Sequence, residues 1–161
     1  MTDNRALVAC VGNSLVGDDA AGHAVYDSLV RDPLPEGVRV CLLGTGGLSL
    51  LEMLAGESIL IVVDAVQFGA EPGAVHVLDW NELPPAHTRA VSAHGIGLRE
   101  AIELGKILNP ATFPRKVILV GIEGASFDTF GAALTPEVAR AVEDGARAVR
   151  AQLDLLLAEK H

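Results

Sequence analysis

The sequence predicts an α/β protein: a three-layer α/β/α sandwich around a mainly parallel sheet of five strands. Three observations lead there. Apolar runs of strand length alternate with segments of helical period, the pattern of strands joined by crossover helices. Half of the residues are hydrophobic but only 4% are aromatic, so the core is Val, Leu, Ile and Ala, which suits a sheet covered by helices. The run Ile59-Leu60-Ile61-Val62-Val63 is wholly apolar, as expected of a central strand covered on both faces. The chain has 161 residues and is read as one domain over 1–161. At this length roughly 70% of the unfolded-chain surface is buried, enough to fold without a disulfide or structural metal.

Each element has a local reason. Residues 6–11 are apolar and form a first strand. Residues 19–31 form a helix with Ala20, Ala24, Val25 and Leu29 on one side. Two prolines and a glycine make 32–37 a connector. Residues 38–43 form a second strand, ended by Gly44-Thr45-Gly46-Gly47, and 48–55 a short helix. Residues 58–64 are the central strand. The turn-rich stretch 68–73 leads to a strand at 74–79 whose alternation places it nearer the edge. A loop with Pro84-Pro85 runs to Ser92-Ala93-His94, and a helix covers 97–108. Pro110 and Pro114 bracket a connector before the fifth strand, 116–122. Thr135-Pro136-Glu137 is a helix start, with an N-cap, a proline at the first position and an early acid. Val138, Val142, Val149, Leu153 and Leu156 then form an apolar stripe to the C-terminus.

A formal net charge of −9 and scattered basic residues argue against nucleic acid or an anionic membrane as partner. Cys10 and Cys41 lie in apolar strand runs and are expected as buried free thiols in a reducing compartment. The sequence shows no signal peptide and no apolar stretch of membrane-spanning length, which places the protein in the cytoplasm.

In open sheets of this class, sites form beyond the carboxyl ends of the strands. Asp18 and Asp19 follow the first strand after a glycine turn at Gly12 and Gly17. Such a turn is where a phosphate would be cradled, but two adjacent carboxylates repel one by several kcal/mol at intermediate dielectric. They suit a cation that needs oxygen ligands. The plainer reading is a helix cap with dipole complementation, about 0.3–1 kcal/mol each, for which one aspartate suffices. Asp64 ends the central apolar run, where a carboxylate is costly to bury without a role. It is read as a ligand or acid–base group, against a turn cap. His94 lies between the fourth strand and the next helix, flanked by Gly95 and Gly97. His23, His76, His87 and His161 have no comparable placement, and His23 and His161 are expected in solvent.

Asp19, Asp64 and His94 together offer two carboxylates and one imidazole at one sheet edge. That set suits a transition-metal ion with open positions for water or substrate, and acid–base or metal-assisted hydrolysis at a carbonyl. No Gly-x-Ser-x-Gly elbow occurs and neither cysteine has an evident base, which argues against serine or cysteine nucleophiles.

At these residues the chain resembles the maturation endopeptidases of nickel–iron hydrogenases. Gly12-Asn13 followed by Asp18-Asp19-Ala20-Ala21-Gly22 is similar to that family's first motif. Asp64-Ala65 with Pro72-Gly73 looks like its second, and Ser92-Ala93-His94 with Gly97-Leu98 like its third. Val120-Gly121-Ile122-Glu123 and Leu134-Thr135-Pro136 resemble its C-terminal landmarks. The ordered set covers the chain from about Leu7 to Val149.

The resemblance implies a five-stranded sheet with one antiparallel strand, and metal-binding positions at Asp19, Asp64 and His94. It implies removal of a C-terminal extension from a nickel-loaded hydrogenase large-subunit precursor. The nickel arrives with the substrate, and cadmium or zinc can take its place. On this view Asp19 and Asp64 are the catalytic carboxylates, Asn13 and Thr45 hold the substrate backbone, and Asp18 orients Asp19 or caps the helix. Many relatives carry an Asp two residues before the Gly-Thr pair, where this chain has Leu42. Two rival readings follow from the same residues. A small-molecule hydrolase or nucleoside phosphorylase would need a basic crevice, for which Arg89 and Arg99 are the nearby cations. A nickel chaperone would bind the precursor without cutting it.

Overall fold

A computed structural model describes residues 5–44, 47–83, 91–92 and 95–159. The strands are β1 (Ala6–Val11), β2 (Val38–Leu43), β3 (Ile59–Gln67), β4 (Val75–Asp79), β5 (Val91–Ser92) and β6 (Lys116–Glu123). The helices are α1 (Ala21–Leu29), α2 (Leu48–Met53), α3 (Gly95–Leu108) and α4 (Pro136–Ala158). The sheet order is β2-β1-β3-β6-β4, with β5 pairing β3 off that path. β1 pairs β2 and β3 in parallel, and β3 pairs β6 in parallel. β4 runs antiparallel to β6, as a short loop rather than a crossover helix carries the chain out of β3.

Alternation along β3 divides the core in two. Ile59, Ile61, Val63 and Ala65 pack with Val25 and Leu29 of α1 and with Val138, Val142, Val149 and Leu153 of α4. Leu60, Val62 and Val66 pack on the other face with Leu50 of α2 and Leu98 and Ile102 of α3. The three layers and the five-strand path are those the sequence predicts.

The differences lie at the element ends nearest the candidate site. The helix expected over 19–31 starts as a 3₁₀ turn, Gly17–Ala20, and α1 ends at Leu29. The Asp19 N–H donates to Val16 O at 3.0 Å, and the Asp19 carbonyl accepts from Asn13 N at 3.2 Å, which closes the loop into a tight turn. β3 continues three residues past Asp64, because β6 pairs it as far as Val66↔Glu123 and β5 pairs Val66 and Gln67. Asp64 is therefore inside the strand, opposite Gly121, rather than at its end. The short strand β5 occupies a stretch expected as loop. Helix α2 stops at Met53, where Leu54 turns extended, instead of reaching residue 55, and α3 starts at Gly95 rather than 97.

Candidate functional site

The chain runs from β1 outward to β2, then returns to β3 on the other side of β1. This reversal opens a crevice at the carboxyl ends of β1 and β3, the usual position of sites in open α/β sheets. The crevice has a second cause. β1 is paired with β3 only as far as Cys10↔Val63, and β5 takes up the pairing only at Val66↔Ser92. Asp64 lies in that break.

Helix α1 begins directly over the break. A β-carbon at Gly22 would fall 2.3 Å from the Val11 carbonyl oxygen and 2.9 Å from that of Val63, so only glycine lets the helix start so low on the sheet. Asp19 is three residues before Gly22 and Asp64 follows Val63, so both residues lie at the same end of the sheet. Asp64 is fully buried and Asp19 is 6% exposed.

Asp18 has a different task from the one expected. It caps neither the 3₁₀ turn nor α1. Its buried carboxylate accepts from Ala125 N at 2.8 Å, Ser126 N at 2.9 Å and Thr135 N at 2.8 Å, and from the Thr135 hydroxyl at 3.0 Å. Its own N–H donates to Ser126 O at 2.8 Å. Asp18 thus clasps the loop after β6 and the start of α4 to the first loop. Thr135, expected to cap α4, gives its hydroxyl to Asp18 and makes no side-chain cap.

The side-chain oxygen of Asn13 accepts from Leu15 N at 2.9 Å, which closes a local turn after β1. Leu42 is exposed on β2. Thr45 and His94 lie outside the described residues, as do His87, Arg89 and His161. The chain on either side of His94 is described: Ser92 pairs with Val66, and α3 begins at Gly95.

Sequence reasoning missed Glu123 as a site-forming residue. It is 2% exposed and ends β6. Its carboxylate accepts from three successive main-chain N–H groups, Phe68 at 3.1 Å, Gly69 at 2.8 Å and Ala70 at 3.1 Å. His76 Nε2 lies 3.0 Å away on the same carboxylate, a contact that no local sequence pattern marks. Glu123 therefore fixes the loop by which the chain leaves β3, beyond Asp64. The signal was available: an acid closing an apolar run, as at Asp64. Glu123→Ala is expected to cost about 2–3 kcal/mol, because the loop donors lose a charged acceptor. Hydrogen exchange should show it first at the amides of Phe68, Gly69 and Ala70; unchanged protection there would refute the clasp.

Cys10 and Cys41 are free, on neighbouring strands. Cys10 is buried and Cys41 is half-buried. Burial, reinforced by Cys41 and Asp27, pushes the Cys10 thiol far above its ordinary range; burial also raises that of Cys41 against the opposing effect of Arg39. Neither is poised as a thiolate nucleophile. The buried charged side chains among the described residues, Asp18, Asp19, Glu57, Asp64 and Glu123, are all acids. Asp19 and Asp64, two buried acids at one end of the sheet, suit a cation or a polarised carbonyl. No helix among the described residues is long and apolar enough to cross a membrane.

A family model for hydrogenase maturation proteases matches residues 24–152. Hydrogenase 2 maturation protease of Escherichia coli is 34% identical over 151 residues, spanning 92% of this chain and 90% of its own. The hydrogenase expression/formation protein HupD of Bradyrhizobium diazoefficiens is 33% identical over 138 residues, 84% of this chain and 71% of that protein. Among solved structures, the hydrogenase maturating endopeptidase HybD from E. coli superposes with a TM-score of 0.82 at 32% identity, covering 94% of this chain and 93% of its own. The fold is also that of HybD from Thermococcus kodakarensis, with a TM-score of 0.77 at 24% identity over 92% and 98% of the two chains.

Proposed function

The chain belongs to the hydrogenase maturation protease family, and from that premise we propose that it removes the C-terminal extension of a nickel-loaded nickel–iron hydrogenase large-subunit precursor. The reaction is hydrolysis of one peptide bond, and its setting is the cytoplasm. What supports the reading is that Asp64 lies in the break of the β3 pairing between β1 and β5, and that the turn carrying Asp19 leads into α1 at the carbonyl ends of Val11 and Val63.

Nickel enters as part of the substrate and acts as the mark that the precursor is ready. Asp19 and Asp64 supply oxygen ligands to it, and His94 supplies nitrogen. Cadmium or zinc would occupy the same donor set. One of the two aspartates takes a proton from water as it adds to the scissile carbonyl, and that proton passes to the departing amine. The chemistry is thus of the aspartic type, with the substrate's ion polarising the same centre. The Asn13 side chain keeps its oxygen in its own turn, so its amide nitrogen is the half that donates to a substrate carbonyl. Thr45 holds the other side of the substrate backbone. The two buried acids at this end of the sheet favour this reading over a small-molecule phosphorylase, which needs basic groups to hold an anion.

The test is mass spectrometry of the precursor after incubation with the protein. The nickel-loaded form should lose its C-terminal extension and the nickel-free form should stay intact. Equal processing of both forms would refute recognition through nickel. A loaded precursor that binds but keeps its mass would make the protein a chaperone.

A further inference from the structure

We infer that His23 is a positioning residue of this reaction, locking the exit of β2 to the helix that carries Asp19. The inference rests on the proposed cleavage of the precursor. His23 lies one helical turn after Asp19, and the sequence places it in solvent. The structure places it half-buried, with Nε2 3.1 Å from the carbonyl oxygen of Leu43, the last residue of β2. A carbonyl only accepts, so Nε2 must carry the hydrogen, either in the neutral ring or in the imidazolium. The Gly12 N–H donates to the same oxygen at 3.2 Å. The two lone pairs of one carbonyl thereby join the first loop, α1 and β2.

The contacts continue on both sides. A β-carbon at Gly12 would sit 2.2 Å from the Asp19 carbonyl oxygen and 4.0 Å from Cδ2 of His23, so Gly12, Asp19 and His23 pack as one unit. Four residues after Leu43, Gly47 abuts the start of α3: a β-carbon there would fall 2.1 Å from Gly97 O. Through Leu43, His23 connects the helix after Asp19 to the loop that meets α3. Asn13 and Thr45, the residues proposed to hold the substrate backbone, belong to the two chain segments that this hydrogen bond joins. Its loss leaves Leu43 O with the Gly12 N–H, so the fold survives while the spacing of the two segments loosens.

The experiment compares His23→Leu, which loses the donor, with His23→Gln, whose side-chain N–H2 replaces it. Cleavage of the nickel-loaded precursor by the Leu variant should fall about tenfold in kcat/KM, carried mainly by KM, and the Gln variant should recover most of it. Thermal unfolding of both variants should stay close to that of the unaltered protein. Wild-type KM in the Leu variant, or equal loss in Leu and Gln at equal stability, would overturn the assignment. A second readout needs no cleavage. Nitrogen NMR of the imidazole should show hydrogen on Nε2, and amide exchange at Gly12, the other donor to Leu43 O, should quicken in the Leu variant alone. A ring with hydrogen only on Nδ1 would overturn the assignment. If the unaltered protein cleaves no precursor, the cleavage reading fails, while the NMR result still decides the role of His23 in the fold.

Discussion

Asp18→Ala is expected to lower the unfolding free energy by about 3 kcal/mol, and with it the melting temperature by roughly 10 °C. The magnitude follows from the number and kind of bonds removed. Three main-chain N–H groups and one hydroxyl converge on a buried carboxylate. Hydrogen bonds to a charged acceptor are worth about 1.5–3 kcal/mol each, and water reaching the half-exposed loop after β6 recovers part of that. Asp18→Asn should not rescue the loss fully. Its amide would aim donors at the N–H groups of Ala125 and Ser126, or at that of Thr135. Chemical denaturation with an unchanged m-value is the measurement, with Asp128→Ala at the exposed surface as a control expected to change little. A loss below about 1 kcal/mol would return Asp18 to the role of dipole complement at a helix start.

That outcome bears on what a sequence alone can reveal. Strands β1 and β2 were legible to the residue because each is an apolar run closed by turn residues, and local pattern decides both ends. The end of β3 was not. Asp64 interrupts the apolar run, and what carries the strand to Gln67 is pairing with Glu123 and with Val91-Ser92. Those partners are distant in sequence, and β5 is too short to announce itself.

The same reasoning separates the acids. Two aspartates before a helix look like a cap, and local rules favour that reading. The acceptor capacity of Asp18 goes instead to donors 107 to 117 residues away. No local signal marks such a bond. Asp19 and Asp64 stand out as candidates because each follows an apolar run near a switch point of the sheet, although β3 runs on past Asp64. His23 was misread since the Leu43 carbonyl that holds it becomes a neighbour only when β2 lies beside β1.

Asp64→Asn and Asp19→Asn should each reduce cleavage of the nickel-loaded precursor by about a thousandfold or more, the scale of losing a general base or a ligand to the polarising ion. Asparagine keeps the shape of the buried side chain and removes the charge, so folding should be disturbed less than by Asp18→Ala. That ordering distinguishes the two kinds of acid: the clasp fails in unfolding experiments, the site in kinetics. His94→Ala should behave as the site residues do. The double variant Asp19→Asn with Asp64→Asn gives the sharper test. If both carboxylates serve one event, the first loss already removes most of the acceleration, and the double variant should be little worse than the poorer single one. Losses that multiply would mean two independent contributions, and so two places on the protein. Wild-type cleavage in either single variant, with melting unchanged, would remove that residue from the reaction.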